Sequence, residues 1–349
     1  MRRAVDGDLC HALLLKNNSP KLAFSEKNDI NEWSLECREK LIKLLGIDKI
    51  KANFCDPDLL IEEVETTDTY KKIRFSFYSE AGALVPCYLL IPGNGNGKYP
   101  VAICLQGHTG GFHHSIGELK NEGDEKFQPH TAHAFQAIDR GFAALCIEMR
   151  AMGERYSRIY EPKGTLPHPC STNALTALNF GRTTIGERAY DVSRSLDMLS
   201  EIGENCLDLD KIIILGHSGG GTASFYAACY DERISYTASC GAFCSFEKSI
   251  MSIAHCVCNY IPDICNYFEM GDLSGLIAPR RLTIMTGRFD PIFPIDGVED
   301  AFGVTKRIYE SLGCPDNARL VISESGHVFD EKLFWSAIME DVSKIGWKL

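Results

Sequence analysis

Residues 211–230 read KIIILGHSGGGTASFYAACY. An apolar, mostly β-branched run ends in Gly216-His217-Ser218-Gly219-Gly220, and small residues at helical spacing follow. A short, continuously apolar run bounded by turn residues predicts a strand covered on both faces. Glycines on both sides of Ser218 predict a turn too tight for neighbouring side chains, leading directly into a helix. Such a strand belongs in a mostly parallel sheet flanked by helices.

The rest of the chain keeps this rhythm. Buried-strand runs recur at VAICLQG (101–107), FAALCIEM (142–149), RISYTASCG (233–241), RLTIMTG (281–287) and ARLVISES (318–325). Helical patterns lie around 130–140, over 183–202 and 298–312, and from about 331. Ahead of them, runs near 59–66, 70–78 and 84–91, separated by SEAG and GNGNG, predict an antiparallel meander. NEWSLECREKLIKLLGI (31–47) predicts an amphipathic helix stopped by Gly46. A proline-containing loop is expected over about 151–170. The expected architecture is α/β, a doubly wound sheet of about eight strands. Residues 1–58 are expected as a helical arm, 59–349 as one α/β domain, and about 246–277 as a cap-like insertion within it.

A net charge of −11 argues against non-specific binding to nucleic acid or an anionic membrane surface, both of which need a basic face. No run of about 18 apolar residues is present to span a membrane. The apolar patch Ala12–Leu15 is too short for a secretory signal, so a cytoplasmic chain is expected. Its 15 cysteines are then expected as free thiols, and those inside apolar runs (Cys104, Cys146, Cys229) as small buried hydrophobes. The denser cysteine segment, 240–265, has no C-x-x-C pair, so no metal site and no cofactor are read from it. A homo-oligomer is left open.

Gly216-His217-Ser218-Gly219-Gly220 fits G-x-S-x-G between a strand and a helix, the context in which a serine becomes an exposed nucleophile. A serine hydroxyl needs a base to take its proton, and the base needs an orienting carboxylate. RLTIMTGRFDPIFP places Asp290 just past one buried strand, and ARLVISESGHVFD places His327 just past the next. The order Ser, Asp, His and the loop positions fit a catalytic triad. Asp296 reads better as the start of the following helix, and Asp330 as the cap of the last one.

A tetrahedral intermediate needs two N–H donors. Gly219 N–H is one candidate. The second falls on LQGHTGGFHHSIGE, at His108, with Thr109 as the alternative. His217 reads as packing beside the pocket, and His113 and His114 as pocket lining or loop packing. Glu148 and Arg150, in EMRAMGER after the 142–149 strand, either position a polar part of the substrate or form a loop-holding salt bridge. The insertion either lines a small apolar pocket or packs as a cap helix.

With these residues placed, roughly residues 60–349 resemble the α/β-hydrolase superfamily, in its dienelactone-hydrolase-like and acetylxylan-esterase-like branch. The resemblance rests on LQGH, EMRAMGER, GHSGGG, LIAPRRLTIMTGRFDPIFP and SGH. The best-known acetylxylan and cephalosporin deacetylases carry HG, RGQ and a Gln after the nucleophile. This chain reads Gln106-Gly107, Arg150-Ala151-Met152 and Gly219, so their assembly and substrate range are not carried over. Ser218 stands where dienelactone hydrolases use Cys, and Gly219 where glucuronoyl esterases place Arg.

The resemblance implies a serine carboxylic-ester hydrolase acting on short acyl groups of a saccharide or small-molecule ester. An amidase or prolyl-oligopeptidase-like peptidase would use the same triad. A binding protein on an inactive scaffold would not need one.

Overall fold

The computed structural model describes residues 7–93, 97–128, 130–156, 169–202, 204–347 and 349. Part of the GNGNG turn and most of the expected 151–170 loop fall outside them.

Nine strands form one sheet: β1 (Leu60–Thr66), β2 (Tyr70–Tyr78), β3 (Leu84–Pro92), β4 (Tyr99–Leu105), β5 (Ala143–Ile147), β6 (Leu207–His217), β7 (Tyr236–Cys240), β8 (Arg281–Gly287) and β9 (Ala318–Ser323). Their spatial order is β1-β2-β3-β5-β4-β6-β7-β8-β9. The first three pair antiparallel as a meander, β3 pairs antiparallel with β5, and every pair from β5 onward is parallel.

The parallel strands are apolar throughout because both faces are covered. On β4, Val101, Ile103 and Leu105 join one core layer, while Ala102 and Cys104 join the other. Helices Thr184–Ile202, Gly219–Tyr230 and Ile295–Ser311 cover the first face. Helices His133–Ile138 and Glu331–Lys344 cover the second. Asp296 lies in the first turn of its helix and pairs with Lys248 (2.9 Å). Asp330 caps the last helix, accepting from Leu333 N–H (3.1 Å).

The helix Ile30–Leu45 buries Trp33, Cys37, Leu41 and Leu45 and ends at Gly46, whose φ of 74° suits glycine. It docks beneath the insertion. Trp33 lies where a Cβ on Gly275 would come within 2.4 Å of its ring, and Phe24 N–H donates to Asp272 Oδ1 (2.8 Å). Helices Leu9–Lys16 and Pro169–Asn179 were not marked by the sequence pattern. The former buries no residue, so it has no apolar stripe to read.

A very close backbone approach lies at the end of β6. A Cβ on Gly220 would stand 2.2 Å from Leu105 O, and one on Gly216 2.5 Å from Gly220 O. Helix and sheet meet here only because neither glycine carries a side chain. Gly220→Ala is expected to destabilise the fold by about 3 kcal/mol or more, measured by urea unfolding. An unchanged midpoint would show that the backbone yields here.

Candidate active site

The chain leaves β4 for β5 on one side and returns to β6 on the other. That reversal opens a crevice beyond the carboxyl ends of β4 and β6. Gly107, His108 and Thr109 enter from β4 and Ser218 from β6, and all line a cavity of about 530 Å³. Its size suits a small organic ligand.

Ser218 has φ 55° and ψ −121°, a backbone conformation rarely adopted by a residue with a side chain. Its N–H donates to Cys240 O on β7 (2.8 Å), and its carbonyl accepts from Thr222 N–H (2.9 Å). Sheet and helix thus hold the strained residue from both sides. A Cβ on Gly219 would come 2.7 Å from His108 Nδ1. The His108 ring occupies the space a side chain after Ser218 would need, which accounts for the glycine.

Asp290, buried on the loop after β8, lies with Oδ2 2.7 Å from His327 Nδ1. Its Oδ1 accepts from Ile292 N–H (2.8 Å) and Phe293 N–H (3.1 Å). Burial alone would raise its pKa, but the bond and charge of His327 and the two backbone donors hold it below the usual carboxylate range. His327 lines the same cavity as Ser218. Its ring is held between His217, at 4.6 Å between centroids, and Phe293, stacked at 5.8 Å.

His217 therefore lines the cavity as it packs. Its Nε2 is buried without a hydrogen-bond partner. Burial, then the neighbouring His327 and His133, push its pKa down to about 3. Thr109 also lines the cavity, and its N–H already donates to Gly107 O (2.8 Å).

Glu148 and Arg150 are corrections: neither lines this cavity. Glu148 is fully buried and accepts from Gln106 Nε2 (2.9 Å), Phe112 N–H (3.2 Å) and Glu154 N–H (3.2 Å). Burial pushes its pKa up to about 8, against the pull of those backbone donors. Arg150 pairs with Glu80 (2.7 Å) and Asp191 (2.9 Å) inside the protein. Both sit at the end of β5, on the side of β4 away from β6. From there Glu148 braces the β4 loop from behind, and Arg150 ties the end of β5 to Glu80 and to helix Thr184–Ile202.

His113 and His114 meet on one carboxylate, Asp124, at 3.1 and 3.0 Å. Asp124 also accepts from Lys120 and Asn121 N–H (2.9 and 2.7 Å), which is loop packing.

The insertion supplies a cavity wall through Ile253, Ala254, His255 and Cys256. Its Phe246 and Phe268 belong to the core instead. Phe127, on the opposite wall, carried no mark in the sequence. Cys256 and Cys258 form one cluster with Cys170 and His108.

The buried ring of His217 has a measurable consequence. Unfolded, it binds a proton below about pH 6.5; folded, only near pH 3. Between those values the unfolded state holds more protons, so stability rises with pH there. His217→Phe is expected to flatten the Tm–pH profile between pH 6.5 and 4. His133, held at about 4 by burial, keeps its own share of that slope. Asp290 acts lower: its stabilisation is present above about pH 3.8 and is lost as pH falls through its depressed folded value. An unchanged slope in the variant would show that His217 is protonated in the fold.

A family model described as Abhydrolase family matches residues 3–325. The inferred hydrolase YtaP of Bacillus subtilis (strain 168) is 24% identical over 298 residues, 84% of this chain and 93% of that protein. An inferred acetyl xylan esterase from Bacteroides fragilis NCTC 9343 superposes with a TM-score of 0.79 at 17% identity, over 97% of this chain and 95% of that one. A glucuronoyl esterase from Solibacter usitatus gives a TM-score of 0.68 at 15% identity, covering 94% and 97%. The structural likenesses carry the fold. The family match, spanning residues 3–325, makes this chain a member of the abhydrolase family, with the α/β-hydrolase fold.

Proposed function

We propose that this chain is a serine carboxylic-ester hydrolase that removes short, acetyl-type acyl groups from a carbohydrate or small-molecule ester. One observation carries the reading. The backbone-strained Ser218 and the Asp290-bound His327, which come from separate loops, line one cavity.

In this mechanism Ser218 Oγ attacks the ester carbonyl carbon while His327 Nε2 takes the hydroxyl proton. Asp290 holds Nδ1–H and stabilises the imidazolium. Gly219 and His108 N–H groups bind the oxyanion; the turn that engages Thr109 N–H favours His108 as the second donor. The bond from carbonyl carbon to alkoxy oxygen breaks, and the alcohol leaves with the proton from His327. Water, deprotonated by His327, then attacks the acyl-serine, releasing the acid and restoring Ser218.

Packing of the His327 ring between His217 and Phe293 limits rotation of the base. A cavity of about 530 Å³ has room for a short acyl group and part of a sugar ring. The acetyl xylan and glucuronoyl esterase names of the structural neighbours support a saccharide ester.

Ser218→Ala is expected to abolish fluorophosphonate labelling and to lower kcat on p-nitrophenyl acetate by about 10⁴–10⁶-fold, and Asp290→Asn by about 10⁴-fold. Both variants should remain folded by circular dichroism. Wild type that takes no label, or a Ser218→Ala variant that labels normally, overturns the reading. The acetate should also be cleaved with higher kcat/KM than the butyrate, and the reverse order would remove the short-acyl assignment.

A further inference from the structure

The wall beside Ser218 holds a second set of chemically active groups. His108, Cys170, Cys256 and Cys258 each place one donor atom in a cluster whose members all lie within 4.8 Å of one another. Cys258 Sγ is 3.1 Å from His108 Nε2 and 3.2 Å from Cys256 Sγ, and Cys256 Sγ is 2.7 Å from Cys170 Sγ. The four come from three separate segments: the β4 loop, the helix Pro169–Asn179 and the insertion. We propose that these residues form a Cys₃His site for a thiophilic divalent cation, zinc by its donor set, built into the wall of the catalytic cavity.

Three features support it. The donor set and number are those of a closed tetrahedral zinc site, where bonds of about 2.3 Å to sulfur and 2.0 Å to nitrogen set donors roughly 3.5 Å apart. A small outward adjustment of the thiols reaches that spacing. A disulfide, with its S–S length of about 2.05 Å, would use two of the sulfurs and explain neither the third nor the imidazole.

The second feature is Arg188. It is 1% exposed. Its Nη1 faces Cys258 Sγ at 3.5 Å, its Nη2 donates to Arg150 O (3.0 Å), and its Nε is buried without a partner. Among the described residues it makes no ion pair with a carboxylate. A buried guanidinium requires a counter-charge, and the nearest group able to supply one is the Cys258 sulfur as a thiolate. Three thiolates and a neutral imidazole around a dication carry a net charge of −1, which Arg188 cancels.

The third feature is tautomeric. A metal on His108 Nε2 leaves the ring proton on Nδ1, the atom that faces Gly219. The metal would thereby fix the ring against the residue following the nucleophile, and tie the oxyanion loop to the insertion. With four protein ligands the site has no open position, so it takes no part in bond breaking. This revises the expectation of a metal-free chain. The C-x-C spacing of Cys256 and Cys258, with ligands 86 and 148 residues before Cys256, matches no local zinc motif.

The test uses the full chain, expressed with zinc in the medium and purified without chelator. Elemental analysis should find about one zinc per chain. Cobalt exchanged into the site should show tetrahedral d–d bands and thiolate-to-cobalt charge transfer. Cys258→Ser and Cys256→Ser should weaken zinc retention in a chelator competition by 10-fold or more, while Ser218→Ala keeps full zinc. That control separates this proposal from the esterase reading, since metal content does not depend on turnover. Folded wild type without zinc and without a thiolate–cobalt spectrum overturns the proposal. So does a Cys170–Cys256 disulfide in the intact mass of freshly purified protein. Should the cysteine variants fail to fold, the wild-type stoichiometry and cobalt spectrum decide alone.

Discussion

The contact between the Leu105 carbonyl and the glycine turn after β6 sets the rest of this structure. With a Cβ on Gly220 it would be a collision at 2.2 Å. Without one, helix Gly219–Tyr230 starts directly above β4, and the β4 loop arrives beside Ser218. Gly107 repeats the device from the other side, since a Cβ there would lie 3.0 Å from His217 O. Bringing an N–H donor next to the candidate nucleophile is thus a packing result.

Around that contact, each loop of the site is tied down by a buried carboxylate that accepts N–H groups. Asp290 takes two backbone donors and fixes His327. Glu148 gathers Gln106, Phe112 and Glu154, which joins the β4 loop to the turn after β5. Asp124 holds the bend around His113 and His114. Carboxylates suit this task because each can accept several donors at once. None of the three lines the cavity, whose described wall contains no acidic side chain.

The sequence carried the parts of this arrangement that depend on local pattern. Apolar runs with strand length located all nine strands, and the glycines around Ser218 announced the turn. Asp290 and His327 were legible because each follows its own strand within a few residues. What it did not carry depends on distant segments meeting. Glu148 and Arg150 look like site residues by position on a strand end, and only the strand order shows that β5 lies behind β4. Cys170 is separated from Cys256 and Cys258 by β6 and the Ser218 turn, so nothing in their spacing signals that they converge on His108.

Ser218 and His327 occupy mechanically different parts of the sheet. β6, which carries Ser218, has strands on both sides, whereas β9, which precedes His327, is the sheet's last strand and pairs with β8 alone. Four of β9's six side chains are only partly buried. Edge elements of this kind open locally at lower free energy than the core. Fraying of that one border would displace His327 while Ser218 stays in place.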